Sequence, residues 1–375
     1  MSAAPIHGYV APGFEPVRDA FENNFREDRE GGASFAVHRE GEFLVDLWGG
    51  FQDAACTQPW LENTIVNVWS TTKGLASLCV AMLVDRGQLD YEQTVASIWP
   101  EFAQGGKALL TVGEVLSHQG GVPGVLDRLQ LTDLADHQAM AARLAEQTPM
   151  FPVGQSGYHA VTHGFLTGEL VRRVDGRTLG QFFHDEVAAP LGVDAWIGLP
   201  QSQEDRVAEM TPPPTGPPSV LSAHPAMRAA LGNPALRPKV TRERWWTSAE
   251  IPSVNAQTNA RALAVIYSML AGGGTTKERE FLSPRTIAAA TRKRIHTKDL
   301  VLGVPMRWAA GFSRNDGITW GKNRNSFGHS GWGGSFACAD PDARLGVAYA
   351  MNRMEANLRG DLRTTNLLAA VYDSV

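Results

Sequence analysis

The stretches most strongly disposed to form strands lie at the two ends of this 375-residue chain. Near the N-terminus, SFAVHR and FLVDLWGGF are rich in β-branched and aromatic residues, and the short EGE between them predicts an antiparallel hairpin. RWAAGFSR, FGHSGWGGSFACAD and RLGVAYAMNR carry the same character near the C-terminus. Each set exposes strand edges that need partners, so the simplest packing joins both ends of the chain in one antiparallel sheet. Phe14, Val17, Phe21 and Phe25 recur at helical spacing and predict an opening helix, and a closing helix is expected from about Asp361 to Tyr372. The fold class expected is therefore α/β of the α+β type, a central antiparallel sheet flanked by N- and C-terminal helices.

Between these ends the pattern changes. From about Tyr91 to Leu199, helical pieces are interrupted by loops such as SHQGGVPG and FPVGQSGYH, which predicts a mostly helical lobe. The proline-rich stretch at 211–218 excludes regular helix or central strand, because proline fixes φ and lacks a donor, and it reads as an extended connector. A further helix is expected around Thr258 to Leu270. The expected division is a discontinuous α/β domain of residues 1–85 and 255–375, with a helical domain of 86–254 and an active site between them.

Composition narrows the partners. A net charge of −5 supplies no basic field for nucleic acid or anionic lipid, so neither nucleic acid nor a membrane is an expected partner. MSAAPIHGYVAPGFEP lacks a basic start followed by an unbroken apolar core, and no later apolar run matches a bilayer. Cys56, Cys79 and Cys338 are odd in number and widely separated, which favours a reduced cytoplasm over a disulfide framework. His159 and His163 stand four apart, but no third ligand accompanies them, so they read as structural and neither metal nor cofactor is expected.

The chemistry begins at VNVWSTTKGLASLCVAML, residues 66–83, where a strand passes into an apolar helix from Thr71 to Asp85. Ser70 and Lys73 stand three apart at its N-terminus, on one face. A serine hydroxyl needs a base, and the positive end of the helix together with the apolar surroundings favours a neutral amine on Lys73. A serine at this place also serves as an ordinary helix cap. Its context argues for chemistry, since no other lysine in the chain has serine three positions before it. GQSGYHA places Tyr158 in a glycine-containing loop, and FGHSGWGGS places His329, Ser330 and Gly331 on a glycine-rich strand.

In order and spacing, STTK (70–73), YHA (158–160) and HSG (329–331) resemble the three motifs of the serine β-lactamase and penicillin-binding protein superfamily. Its class C β-lactamase-like esterases, the family VIII carboxylesterases, are nearest in pattern. LSHQGGVPG resembles the family's Leu-Thr-His-x-Ser-Gly loop, and the WGG after the third motif resembles the esterase branch. The resemblance covers nearly the whole chain and implies a β-lactamase-like fold. It also implies a nucleophile at Ser70, Lys73 and Tyr158 sharing proton transfer, an oxyanion hole from the backbone amides of Ser70 and Trp332, and substrate binding by His329, Ser330 and Gly331.

Two departures from the family's motifs, Ala160 for asparagine and His329 for lysine, remove an amide and a fixed charge that would serve a β-lactam. The expectation is thus a serine hydrolase for a small-molecule ester with a short acyl group. A β-lactamase, a D-aminopeptidase or other peptidase, and an acyltransferase share the fold, and a catalytically silent acyl- or peptide-binding homologue is the alternative of another class. The G-x-S-x-G elbow of an α/β-hydrolase is one residue out of register in GHSGWG. Trp245 and Trp246 either line an acyl pocket or staple a long loop. Arg359 and Asn352 either recognise an anion or precede the last helix as solvated residues.

Overall fold

The computed structural model describes residues 4–213, 224–358 and 360–375. Strands are numbered in chain order: β1 (Ile6–Val10), β2 (Gly32–Arg39), β3 (Glu42–Gly50), β4 (Val66–Asn67), β5 (Ala195–Trp196) and β6 (Gln257–Thr258). They continue with β7 (Ile295–Lys298), β8 (Pro305–Trp308), β9 (Ser313–Arg314), β10 (Phe327–Ser330), β11 (Phe336–Asp340) and β12 (Leu345–Met351). Among the described residues, nine of these make one antiparallel sheet in the order β1-β3-β2-β12-β11-β10-β9-β8-β7, while β4, β6 and β5 pair separately. The two ends of the chain meet where β2 pairs with β12, Phe35 opposite Tyr349. The expected central sheet is formed there.

Every residue of β12 is buried, and side chains alternate between the faces of a strand, so both faces are covered. On one face Gly346 lets helix Ala260–Ala271 approach so closely that a Cβ would stand 2.1 Å from the Ala264 carbonyl oxygen. On the other face Tyr349 meets Glu30 and lies under Arg363, which starts helix Leu362–Ser374. That closing helix packs with the opening helix Glu15–Arg26, and Tyr372 Oη donates to Asp340 at the end of β11 at 2.5 Å. The flanking terminal helices are as expected. The sequence did not reveal that the helix at 260–271 covers the opposite face.

Four local details differ from the sequence expectation. β1 pairs with β3 and was not anticipated, because IHGYV is short and set between prolines. The β2–β3 turn uses Glu40 and Gly41, both at positive φ, so the Glu42 of EGE already belongs to β3. FGHSGWGGSFACAD is a hairpin, β10 to β11, rather than one strand: Gly333 and Gly334 take φ of +96° and +129°, which turn the chain back. RWAAGFSR is likewise divided into β8 and β9 by a turn in which Ala309 N donates to Phe312 O. The proline-rich segment lies for the most part outside the described residues. No helix among the described residues is long and apolar enough to cross a membrane.

Candidate active site

The nucleophile segment leaves β4 through a single 3-10 turn, Trp69–Thr71, and enters helix Thr72–Asp85. Trp69 holds φ of +47°, a left-handed conformation unfavourable for a bulky residue, directly before Ser70. The turn is fixed by neighbours: Thr72 Oγ1 donates to Trp69 O and accepts from Ala256 N. Nearly all of the helix is buried, so Lys73, one turn on, has no route to solvent.

Lys73 Nζ donates to the carbonyl oxygens of Ala160 at 2.6 Å and Ser253 at 3.1 Å, and it lies 3.1 Å from Ser70 Oγ. Burial drives its pKa well below the ordinary lysine value. Although Ala160 lacks the amide side chain, its backbone carbonyl supports the lysine. Ser253 was not legible as a participant, because it contributes only a carbonyl.

The β10–β11 loop is stitched to this turn. Ser335 Oγ donates to Val68 O at 2.8 Å and lies 3.2 Å from Thr71 Oγ1, and Trp332 packs on Trp69 with ring centroids 5.1 Å apart. Gly331 is needed where it stands, since a Cβ would lie 2.3 Å from Val68 O and 2.2 Å from Ser335 Oγ. Gly333 O accepts from Arg363 Nη2 at 2.8 Å, which ties the loop to the closing helix.

Tyr158 approaches from the helical region. Its ring lies 4.8 Å from Lys73 Nζ. Burial pushes the phenol's pKa up, against a hydrogen bond with Ser70 that lowers it. His118, in the LSHQGGVPG loop, sits edge-on to Tyr158 at 4.9 Å, and its Nδ1 accepts from His159 N. His159 and His163 both lie within 5.6 Å of His118, ring centroid to centroid, and burial lowers the pKa of all three. They are neutral core rings. Among the described residues no group of three or more His, Cys, Asp or Glu side chains is arranged to hold a metal.

Ser70, Tyr158, His329, Ser330 and Trp332 line one cavity of about 30 Å³, whose apolar wall adds Leu302, Met306, Trp308, Trp320 and Leu358. His329 is buried, its Nδ1 lies 2.8 Å from Ser330 O, and burial lowers its pKa to about 3. Ser330 Oγ donates to Leu358 O. The residues predicted for the site thus converge, with Lys73 behind Ser70 and Gly331 supporting the loop. Trp308 was missed because RWAAGFSR reads only as a strand, and Leu302 and Met306 because they stand before it in a segment with no motif.

Other sequence readings resolve differently. Trp245 and Trp246 do not line this cavity. Trp246 is buried, donates from Nε1 to Asn67 Oδ1 at 2.9 Å and packs edge-on to Trp245, so the pair staples its segment to β4. Asn352 is buried, accepts from Gly32 N and donates to Phe51 O, so it is a strand tie with no role in anion recognition and is not solvated. Arg359 lies outside the described residues.

This fold and this convergence define a β-lactamase-like protein, and comparison with known proteins agrees. The β-lactamase family model matches residues 18–372, and the chain belongs to that family. The esterase/β-lactamase LipL of Mycobacterium tuberculosis (strain ATCC 25618 / H37Rv) is 36% identical over 366 residues, covering 93% of this chain and 83% of LipL. The crystal structure of a family VIII carboxylesterase superposes with a TM-score of 0.95 at 45% identity, covering 99% of this chain and 100% of that one. A penicillin-binding protein homologue from Caulobacter crescentus gives the same TM-score, identity and coverage.

Proposed function

We propose that the protein is a serine carboxylesterase that cleaves small, short-acyl esters through an acyl-enzyme on Ser70. The observation that carries this reading is the buried, carbonyl-bound Lys73 amine beside the Ser70 hydroxyl. A neutral amine has two N–H groups and one lone pair. The carbonyls of Ala160 and Ser253 take the two N–H groups, which leaves the lone pair directed at Ser70 Oγ. Lys73 accepts the hydroxyl proton as Ser70 Oγ bonds to the ester carbon. The backbone N–H groups of Ser70 and Trp332 receive the developing oxyanion, each such donor being worth about 2.7 to 4 kcal/mol in related chemistry. Tyr158, a neutral phenol, passes its proton to the leaving alkoxide and is reprotonated by the Lys73 ammonium, so both groups end acylation neutral. In deacylation the neutral Lys73 takes a proton from water as the water oxygen bonds to the acyl carbon, Ser70 Oγ leaves and regains that proton through Lys73 and Tyr158, and the acid released ionises to carboxylate.

Small neutral substrates suit the cavity. Its volume of about 30 Å³ holds about two waters. His329 stands where the β-lactam-binding members of the family carry lysine, and its low pKa leaves it uncharged, which weakens any hold on a β-lactam carboxylate. The names of the relatives include both esterase and β-lactamase, and weak lactam opening is compatible with the same acyl-enzyme chemistry. The three cysteines are free thiols, in keeping with a reducing cytoplasm.

The test is steady-state turnover of p-nitrophenyl acetate, p-nitrophenyl octanoate and a chromogenic cephalosporin, with Ser70→Ala alongside. Acetate turnover lost by at least about 10⁴-fold in Ser70→Ala, with little lactam opening, is the expected result, and Tyr158→Phe should lower kcat by about 10²-fold or more. Cephalosporin turnover above ester turnover overturns the ester assignment, and an active Ser70→Ala overturns the nucleophile.

A further inference from the structure

One fully buried carboxylate outside the three motifs holds three parts of the cavity at once. Asp299 follows β7, and its Oδ1 accepts from the backbone N–H groups of Tyr158 (2.9 Å), Val301 (2.9 Å) and Leu302 (3.0 Å). Its Oδ2 accepts from Ser156 Oγ at 2.6 Å and from Trp308 Nε1 at 3.3 Å. The loop after it is closed on itself, Asp299 N donating to Val304 O and Gly303 N to Asp299 O. Tyr158, Leu302 and Trp308 all line the Ser70 cavity. Trp308 stacks on Tyr158 with centroids 5.6 Å apart and planes within 7°, so the ring that walls the cavity and the ring that serves the chemistry share one anchor.

A buried carboxylate with no function is an expensive way to close a loop, because an ionised group loses its hydration and needs several donors to compensate. Five neutral donors do so here, and three of them belong to residues that line the Ser70 cavity. We propose that Asp299 is a positioning residue that sets the acyl-size limit of the Ser70 cavity by fixing the Trp308 ring and the Leu302 loop against Tyr158. The inference rests on the esterase reading. The two oxygens divide the work: Oδ1 serves the backbone of Tyr158 and the loop, and Oδ2 serves the Ser156 hydroxyl and the Trp308 indole. An asparagine keeps one acceptor oxygen for the backbone set and presents N–H on the other side, which the Ser156 hydroxyl can turn to accept but the indole N–H cannot, so Trp308 alone is freed.

The experiment compares kcat/KM for p-nitrophenyl acetate and octanoate in wild type, Asp299→Asn, Trp308→Phe and the double variant. Each single variant is expected to shift the acetate-to-octanoate ratio toward octanoate by about fivefold or more, the scale of one lost buried hydrogen bond. The double variant is expected to shift it no further, because both changes break one contact. A ratio unchanged in the single variants, with only thermal stability lowered, overturns the proposal, as does a fully additive double variant. Should Asp299→Asn fail to fold, an unchanged ratio in Trp308→Phe overturns it alone. If wild type hydrolyses neither ester, the esterase reading fails separately. The size limit is then read from the rates at which methyl and octyl fluorophosphonates label Ser70, with the same expected shift and the same contrary result.

Discussion

Lys73 and Arg363 are both cations taken wholly out of water, and the chain treats them in opposite ways. Lys73 meets two carbonyl oxygens and a hydroxyl, with no carboxylate at hand among its hydrogen-bond partners, and burial drives it toward the neutral amine. Arg363 donates to Asp361 at 2.7 Å, to Glu30 at 3.3 Å and to the carbonyls of Gly333 and Arg353 at 2.8 Å. Burial opposes its charge, but the Asp361 carboxylate, joined by Glu30 once that group ionises, outweighs it and holds the guanidinium charged. A buried base without a counterion is driven toward its neutral form, whereas a buried base with a counterion keeps its charge and becomes a brace. The physical difference is the identity of the neighbours, since the degree of burial is the same.

The comparison is sharpest if each side chain is replaced by methionine. Lys73→Met is expected to lower kcat for acetate ester by about 10³-fold or more while stability changes by no more than about 1 kcal/mol, because loss of two carbonyl contacts is offset by removal of a desolvated amine. Arg363→Met is expected to do the reverse. It strands Asp361 and the Gly333 carbonyl, should lower stability by about 3 to 5 kcal/mol in a urea melt, and should reduce kcat less than Lys73→Met does. Equal losses of stability in the two variants would erase the distinction.

A smaller effect separates the members of the brace. Burial raises Glu30 from the usual carboxyl value to about 8, against the pull of Arg363. A carboxyl that keeps its proton longer in the folded state stabilises the fold fully below the unfolded value of about 4.3, and the contribution is lost as pH rises through about 8. Glu30→Gln imitates the protonated form. Its melting temperature relative to wild type should therefore rise between pH 5 and pH 9, and melting curves that run parallel across that range would contradict the assignment.

How much of this was legible beforehand follows from what each residue contributes. Ser70, Lys73, Tyr158 and His329 announce themselves because their side chains belong to motifs with fixed spacing. Ser253 contributes a backbone carbonyl, which any residue supplies, so nothing in its side chain marks it. Asp299 and Trp308 are brought to Tyr158 by chain returns of more than a hundred residues, and no local pattern encodes such a return. The sheet was readable from strand composition at the two ends, but the division of FGHSGWGGSFACAD was not. Its glycines permit the turn without requiring it, and the turn is fixed by Ser335, Val68 and Arg363, which are distant in sequence. The same holds for Arg363, which reads as an ordinary residue of the last helix until Glu30 and Asp361 close around it.

The central claim is that Lys73 rests as a neutral amine and takes the proton of Ser70. The most direct measurement is the pH dependence of the acylation burst with p-nitrophenyl acetate under single-turnover conditions. A lysine lowered by burial is inactive only while protonated, so the rate should rise with pH and reach a plateau well below the ordinary lysine pKa of about 10.4. A burst rate that is still climbing at pH 10 would mean that Lys73 is an ammonium at neutral pH, and the base would have to be sought elsewhere.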